Sequence, residues 1–341
     1  MKHRLSRILR ILTVTVFAFI ADAAGQQYTI KFATLAPEGT AWMNVMKEFD
    51  EAIRKESGGR VGFRIYPGGV QGDEKVVLRK IRSGQLHAGG FTGVAMGEIA
   101  PNVRILDSPF LFQSYEEVDH IYETFDEEFR AAFRKGGYVL LGWAEVGFVY
   151  VFTNTGIATP QDLKKLKMWS WDGDPIAETL LKELGVSPIP LGMPDVMTSL
   201  QTGLIDAFYG PPLATLMLQW YTRAKFMVDV RLADAAGAVL ISQKQFDALP
   251  ADVQKILLEN GKKHFRRLTL ISREQNAESI KEMTKRGLSL IKARPEDYEY
   301  YVKVCAEVRK KLTGEIYTAD FLHRVESAIE TFRKSNSKPS Q

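Results

Sequence analysis

The chain reads as an α/β protein of two domains, and three observations carry that expectation. Its 341 residues exceed what one hydrophobic core usually serves. Its composition, 45% hydrophobic and 25% charged, is that of an ordinary globular protein. Between Thr159 and Pro212, short apolar runs alternate with short helical segments. That alternation is the mark of strand–helix–strand units, whose ligands bind where the strands end.

Within that central stretch a Thr159-Pro160 turn leads to a strand at Leu166–Trp171 and a helix at Pro175–Leu184, ended by Gly185. A strand at Ser187–Leu191, a helix at Asp195–Thr202 ended by Gly203, and a strand at Leu204–Phe208 follow, before a Gly-Pro-Pro stop. The alternation predicts that these strands run parallel.

The chain opens with a basic segment (Lys2, Arg4, Arg7, Arg10), an apolar run Ile11–Ile20, and Ala21-Asp22-Ala23, the features of a cleaved export signal over 1–23. The apolar run is too short for a bilayer core of about 30 Å. Without that segment 41 basic residues face 40 acidic ones, so the formal charge of +4 belongs mostly to the signal. No basic stripe remains, which argues against nucleic acid as a partner. Cys305 is the single cysteine and excludes an internal disulfide; its helical spacing with Tyr301, Val308 and Leu312 predicts burial.

Tyr28–Ala33 and Val61–Tyr66 read as strands around an amphipathic helix at Thr40–Glu56. The glycine loop Pro67–Gly72 precedes Asp73, which reads equally as a helix cap or a residue at a cleft rim. His87–Thr92 and Tyr138–Trp143 are further strands, Tyr115–Lys135 is helical, and Gly147–Asn154 is expected to cross into a second domain. The chain returns through Lys225–Val230 and Gly237–Ser242. Val253, Ile256, Leu257, Leu268 and Ile271 are apolar positions of the stretch 251–286. Helices at Pro295–Leu312 and Ala319–Arg333 precede a tail, 334–341, whose composition predicts disorder.

The order T-P-x-D-L-K-x-L-K from Thr159 and P-D-V-x-x-x-L-Q-T-G-x-x-D from Pro194 resembles the DctP-type solute receptors of TRAP transporters, tripartite ATP-independent periplasmic uptake systems. IKFATLAPEGTAW, GGRVGFRIYPGGVQGDE, LRKIRSGQLHAG and the turn at Asp107–Phe112 extend the resemblance over nearly the whole mature chain. It implies a two-domain periplasmic binding protein of type II-like architecture, each domain a mixed sheet flanked by helices, with a long bridging helix over Ala251–Arg286 of roughly 50 Å at about 1.5 Å per residue. The domains would comprise 24–146 with 235–275, and 147–234 with 276–333, hinged near Gly147, Ala235 and Gln275. It also implies a periplasmic location, a small-molecule solute in the interdomain cleft and a two-subunit membrane permease as partner. For some members a periplasmic helical-repeat protein is a further partner. No cofactor is implied.

An enzyme is disfavoured on the residues themselves. The mature histidines are scattered, and H-E-x-x-H, C-x-x-C and G-x-S-x-G are absent. Asp172 and Asp174 flank Gly173, but Asp174 before Pro175 reads as a helix cap rather than half of a catalytic pair.

Matching the family's motifs assigns twelve positions to the cleft: Leu35, Asp73, Thr92, Phe148, Val149, Tyr150, Trp169, Trp171, Met193, Phe208, Tyr209 and Gly210. Here the chain departs from the pattern. The arginine that clamps a solute carboxylate falls on Trp169, a second arginine on Val149, and an asparagine on Gly210. An ionised acid without such a partner would lose its hydration at a cost of several kcal/mol. The expectation is therefore an arginine-free cleft for a hydrophobic or weakly polar solute. The alternative is an organic acid held by a relocated arginine, Arg223 or Arg231.

Overall fold

The computed structural model describes residues 27–336; the expected export signal and the last five residues lie outside them. In chain order, β1 (Tyr28–Ala33), α1 (Ala41–Glu56), β2 (Val61–Tyr66), α2 (Glu74–Arg82), β3 (Ala88–Thr92) and α3 (Gly93–Ile99) lead into a 3-10 helix at Pro101–Asp107. α4 (Tyr115–Thr124), α5 (Asp126–Lys135) and β4 (Tyr138–Trp143) follow. The next group is β5 (Gly147–Thr153), β6 (Trp169–Trp171), α6 (Pro175–Glu183), β7 (Ile189–Leu191), α7 (Val196–Thr202), β8 (Ala207–Gly210) and α8 (Pro212–Met217). The chain closes with β9 (Phe226–Ala235), β10 (Gly237–Ser242), α9 (Gln243–Asp247), α10 (Ala251–Lys285), β11 (Ser289–Ile291), α11 (Pro295–Lys311) and α12 (Ala319–Asn336).

Two mixed sheets define two lobes. The first runs β2-β1-β3-β10-β4, with β10 antiparallel to both neighbours, and the second runs β11-β9-β5-β8. Ile30, Phe32 and Val239 pack from the first sheet onto Phe49 of α1 and Phe265 of α10, all fully buried. Each such side chain contributes about 1.5–3 kcal/mol through lost apolar surface. Cys305 is buried, as its spacing predicts, and burial pushes its thiol up to about 12.

The lobes join where β5 and β9 enter side by side. Gly147 pairs with Ala235, Val146 donates to the Ala235 carbonyl at 2.9 Å, and β10 begins two residues later in the other sheet. Asn276 of α10 braces this crossing. Its Nδ2 donates to the Val146 carbonyl at 2.7 Å, and its Oδ1 accepts from Leu213 N at 2.8 Å.

Several expected elements differ. β6 and β7 form a parallel pair, but β8 begins later than expected and joins the other sheet antiparallel to β5. An apolar run shows that a strand exists, not which edge it will find. The single helix expected over 115–135 is broken at Phe125. α12 continues to Asn336, past the expected start of the tail at Lys334. It also packs back on the first lobe: Phe321 meets Phe125 and Phe129 edge-on, and Arg333 pairs with Glu117.

Candidate functional site

A cavity of about 290 Å³ lies between the lobes, at the low end of the usual 300–1,000 Å³ for ligand pockets. Eight of the twelve positions assigned from sequence line it: Leu35, Thr92, Val149, Trp169, Trp171, Met193, Tyr209 and Gly210. Strand alternation explains why three others do not. On β5, Val149 and Val151 line the cavity, whereas Phe148 stacks on Tyr115 with ring centroids 4.5 Å apart. Tyr150 is buried beside it. On β8, Tyr209 lines the wall while Phe208 stacks on Phe152 at 5.2 Å.

Asp73, the remaining position, is not in the wall. Its carboxylate caps α2 through Glu74 N and accepts from Trp171 Nε1 and Met193 N on the opposite lobe. The two readings of Asp73 are thus combined in one side chain.

Trp169 stands where the family pattern has an arginine. It stacks on Tyr209 at 5.0 Å, meets Trp220 edge-on at 5.4 Å, and donates Nε1 to the Leu191 carbonyl at 3.0 Å. Its one polar atom is satisfied by protein, so it presents an apolar face. At Gly210 an added Cβ would meet only Thr215 Oγ1, at 3.6 Å, so the missing asparagine is not excluded by space.

The wall is not free of arginine, and here the expectation is corrected. Arg104, from the 3-10 helix, lines the cavity; Arg223 and Arg231 do not. Arg231 lies over the Phe148 ring and donates to the Gln113 carbonyl, outside the wall. Arg104 Nε donates to Asp107 Oδ2 and Nη2 to Asp174 Oδ1, each at 2.8 Å. Asp174 also caps α6 by accepting from Ile176 N, while Asp172 is exposed, so the two do not form a carboxylate pair. Burial pushes the Asp107 carboxyl up to about 6, against the pull of Arg104. Arg104 belongs to no sequence motif, and its partner Asp174 lies in the central stretch 70 residues further on.

Glu74 lies behind Thr92. It accepts from Thr92 N at 2.8 Å, Thr92 Oγ1 at 3.0 Å and Ala95 N at 3.3 Å, and burial raises its pKa to about 8. At neutral pH this carboxyl is mostly protonated. The first lobe's wall thus carries two polar pairs, Thr92 with Glu74 and Asp107 with Arg104. The second lobe lines the chamber with the buried side chains of Leu163, Met168, Leu180, Leu184 and Trp220.

The description "Bacterial extracellular solute-binding protein, family 7" (DctP) matches residues 32–315. The 2,3-diketo-L-gulonate-binding periplasmic protein of Escherichia coli K12 is 22% identical over 294 residues, covering 83% of this chain and 88% of its own length. A TRAP periplasmic solute-binding protein from Ochrobactrum anthropi, with its C-terminus bound in the ligand pocket, is 25% identical. It superposes with a TM-score of 0.79 over 92% of this chain and 98% of its own. One from Haemophilus influenzae with bound L-gulonate has a TM-score of 0.82 at 19% identity, over 89% and 99%. These relatives are solute receptors rather than enzymes, and the match covers both lobes of the fold described above. The chain therefore belongs to the DctP family, the TRAP-type branch of bacterial extracellular solute-binding proteins.

Proposed function

We propose that this receptor takes an organic acid with one carboxyl head and a bulky apolar body, and delivers it to a TRAP membrane permease. The acid is supported by the solutes named for relatives, 2,3-diketo-L-gulonate in Escherichia coli and L-gulonate in Haemophilus influenzae. The apolar body rests on one observation: the second lobe lines the chamber with the buried side chains of Leu163, Met168, Leu180, Leu184 and Trp220. Sugar hydroxyls buried there would lose water without gaining partners, at roughly 1–3 kcal/mol each. Alkyl or aryl surface instead gains about 25 cal/mol per Å². Arg104 is the one basic side chain in the wall among the described residues, which is why a single acidic head is proposed.

In this reading Leu35, Thr92, Val149, Trp169, Trp171, Met193, Tyr209 and Gly210 contact the solute. The lobes 24–146 with 235–275, and 147–234 with 276–318, close about Gly147, Ala235 and Gln275, and α12, expected in the second lobe, stays with the first, on which it packs. Export to the periplasm with loss of 1–23 belongs to the same proposal. A periplasmic helical-repeat partner, where one exists, would accept the same apolar-bodied cargo.

A second reading, a neutral apolar solute, is favoured by one feature. Arg104 already meets two carboxylates, so an added anion would face local negative charge. Native mass spectrometry of protein purified without detergent separates the readings. A co-purifying carboxylic acid with a long or aromatic body is the expected result, and a neutral lipid would favour the second reading. A sugar acid or C4-dicarboxylate at full occupancy would reject both.

A further inference from the structure

Asp73 occupies an unusual position for a helix cap. It belongs to the first lobe, yet its Oδ2 accepts from Met193 N at 2.8 Å and from Trp171 Nε1 at 3.2 Å, both in the second lobe. Oδ1 takes the Glu74 amide, so α2 is capped by the same carboxylate. The second lobe makes room for it: a Cβ at Gly192 would lie 2.9 Å from Oδ2. Gly69, in the loop just before Asp73, would bring a Cβ to 4.0 Å from Pro194, so the lobes meet along this edge. Trp171 and Met193 both line the chamber, whereas Asp73 does not.

We propose that Asp73 is a latch: a positioning residue that joins the lobes in the closed form and fixes Trp171 and Met193 in the chamber wall without touching solute. Charge-assisted hydrogen bonds across a cleft exist only when the cleft is closed. Their free energy therefore shifts the open–closed equilibrium directly, and through it the apparent affinity for any solute that binds the closed form. The latch rests on the two-lobed receptor reading but is indifferent to the solute's class. The Arg104–Asp174 pair also crosses between the lobes, so loss of the latch loosens closure without abolishing it.

The cap and the latch can be separated. In Asp73→Ser the hydroxyl still caps α2, since serine caps about as well as aspartate, but it is too short to reach Met193 and Trp171. Asp73→Ser is expected to keep the wild-type melting temperature while the unliganded protein shows a larger radius of gyration by small-angle X-ray scattering. Octanoate, used as the probe acid, should bind roughly 10- to 100-fold more weakly, the equivalent of one or two charge-assisted hydrogen bonds. Trp171→Phe should give part of the opening, and adding it to Asp73→Ser should give no more. Unchanged scattering in Asp73→Ser, or fully additive effects in the double variant, would overturn the latch. The scattering arm needs no solute, so it stands even if octanoate fails to bind and the proposed solute class falls.

Discussion

Glu74 illustrates how a single carboxyl can couple the site to pH. Burial lifts it from its ordinary 4.5 to about 8, against the stabilising bonds from Thr92 and Ala95. Between those values the folded protein holds a proton that the unfolded chain has released, so stability falls as pH rises through the interval. Glu74→Gln mimics the protonated acid and removes this contribution. Its melting temperature should therefore fall less steeply than the wild type's from pH 5 to pH 9. A variant with the wild-type slope would show that other buried acids, such as Asp107, carry the dependence. At the same scale, sequence comparison could rank cleft positions but not their side-chain direction. It grouped Phe148, Val149 and Tyr150 together, whereas the alternation of β5 sends only Val149 into the chamber. Arg104 was illegible for a different reason: its role depends on Asp107 and Asp174, and the latter is 70 residues away in sequence.

At the scale of elements, the long helix was the most legible feature. Expected over Ala251–Arg286 as the family's bridging helix, it runs from Ala251 to Lys285 and packs on elements of both lobes. Its contact with β4 was not legible, because it depends on one missing side chain. A Cβ at Gly261 would fall 2.3 Å from the Leu141 carbonyl oxygen. Gly261→Ala should therefore destabilise the fold by about 1–3 kcal/mol through overpacking. Helix propensity alone would predict a gain of up to about 1 kcal/mol. Urea denaturation decides between the two signs. The strands of the central stretch were read correctly as strands, but β8 runs Ala207–Gly210 rather than Leu204–Phe208 and pairs antiparallel with β5, keeping a parallel bridge only between Ala207 and Met168. Short apolar runs carry no information about which edge they will join, and β8 joins the edge of β5 left open opposite β9.

At the scale of the whole molecule, the two lobes gather side chains that are dispersed along the chain into one asymmetric chamber. The first lobe presents Thr92, Asp107 and Arg104 to it, and the second presents Asp174 and Asp234 beside an apolar wall that includes Leu163, Leu184 and Trp220. Asp73 to Trp171, Arg104 to Asp174 and Arg309 to the Pro109 carbonyl are among the polar links that hold the halves together. The two-lobed receptor fold was legible from the order of its motifs, because that order sets the topology. The solute was not, because Trp169 in place of arginine removes one anchor without revealing that Arg104 lines another part of the wall. The most direct measurement is a calorimetric titration of detergent-free protein with octanoate and with L-gulonate in the same buffer. Octanoate is predicted to bind with a negative heat-capacity change, the mark of buried apolar surface, and L-gulonate at least about 100-fold more weakly. Tight binding of L-gulonate with no detectable binding of octanoate would contradict the account.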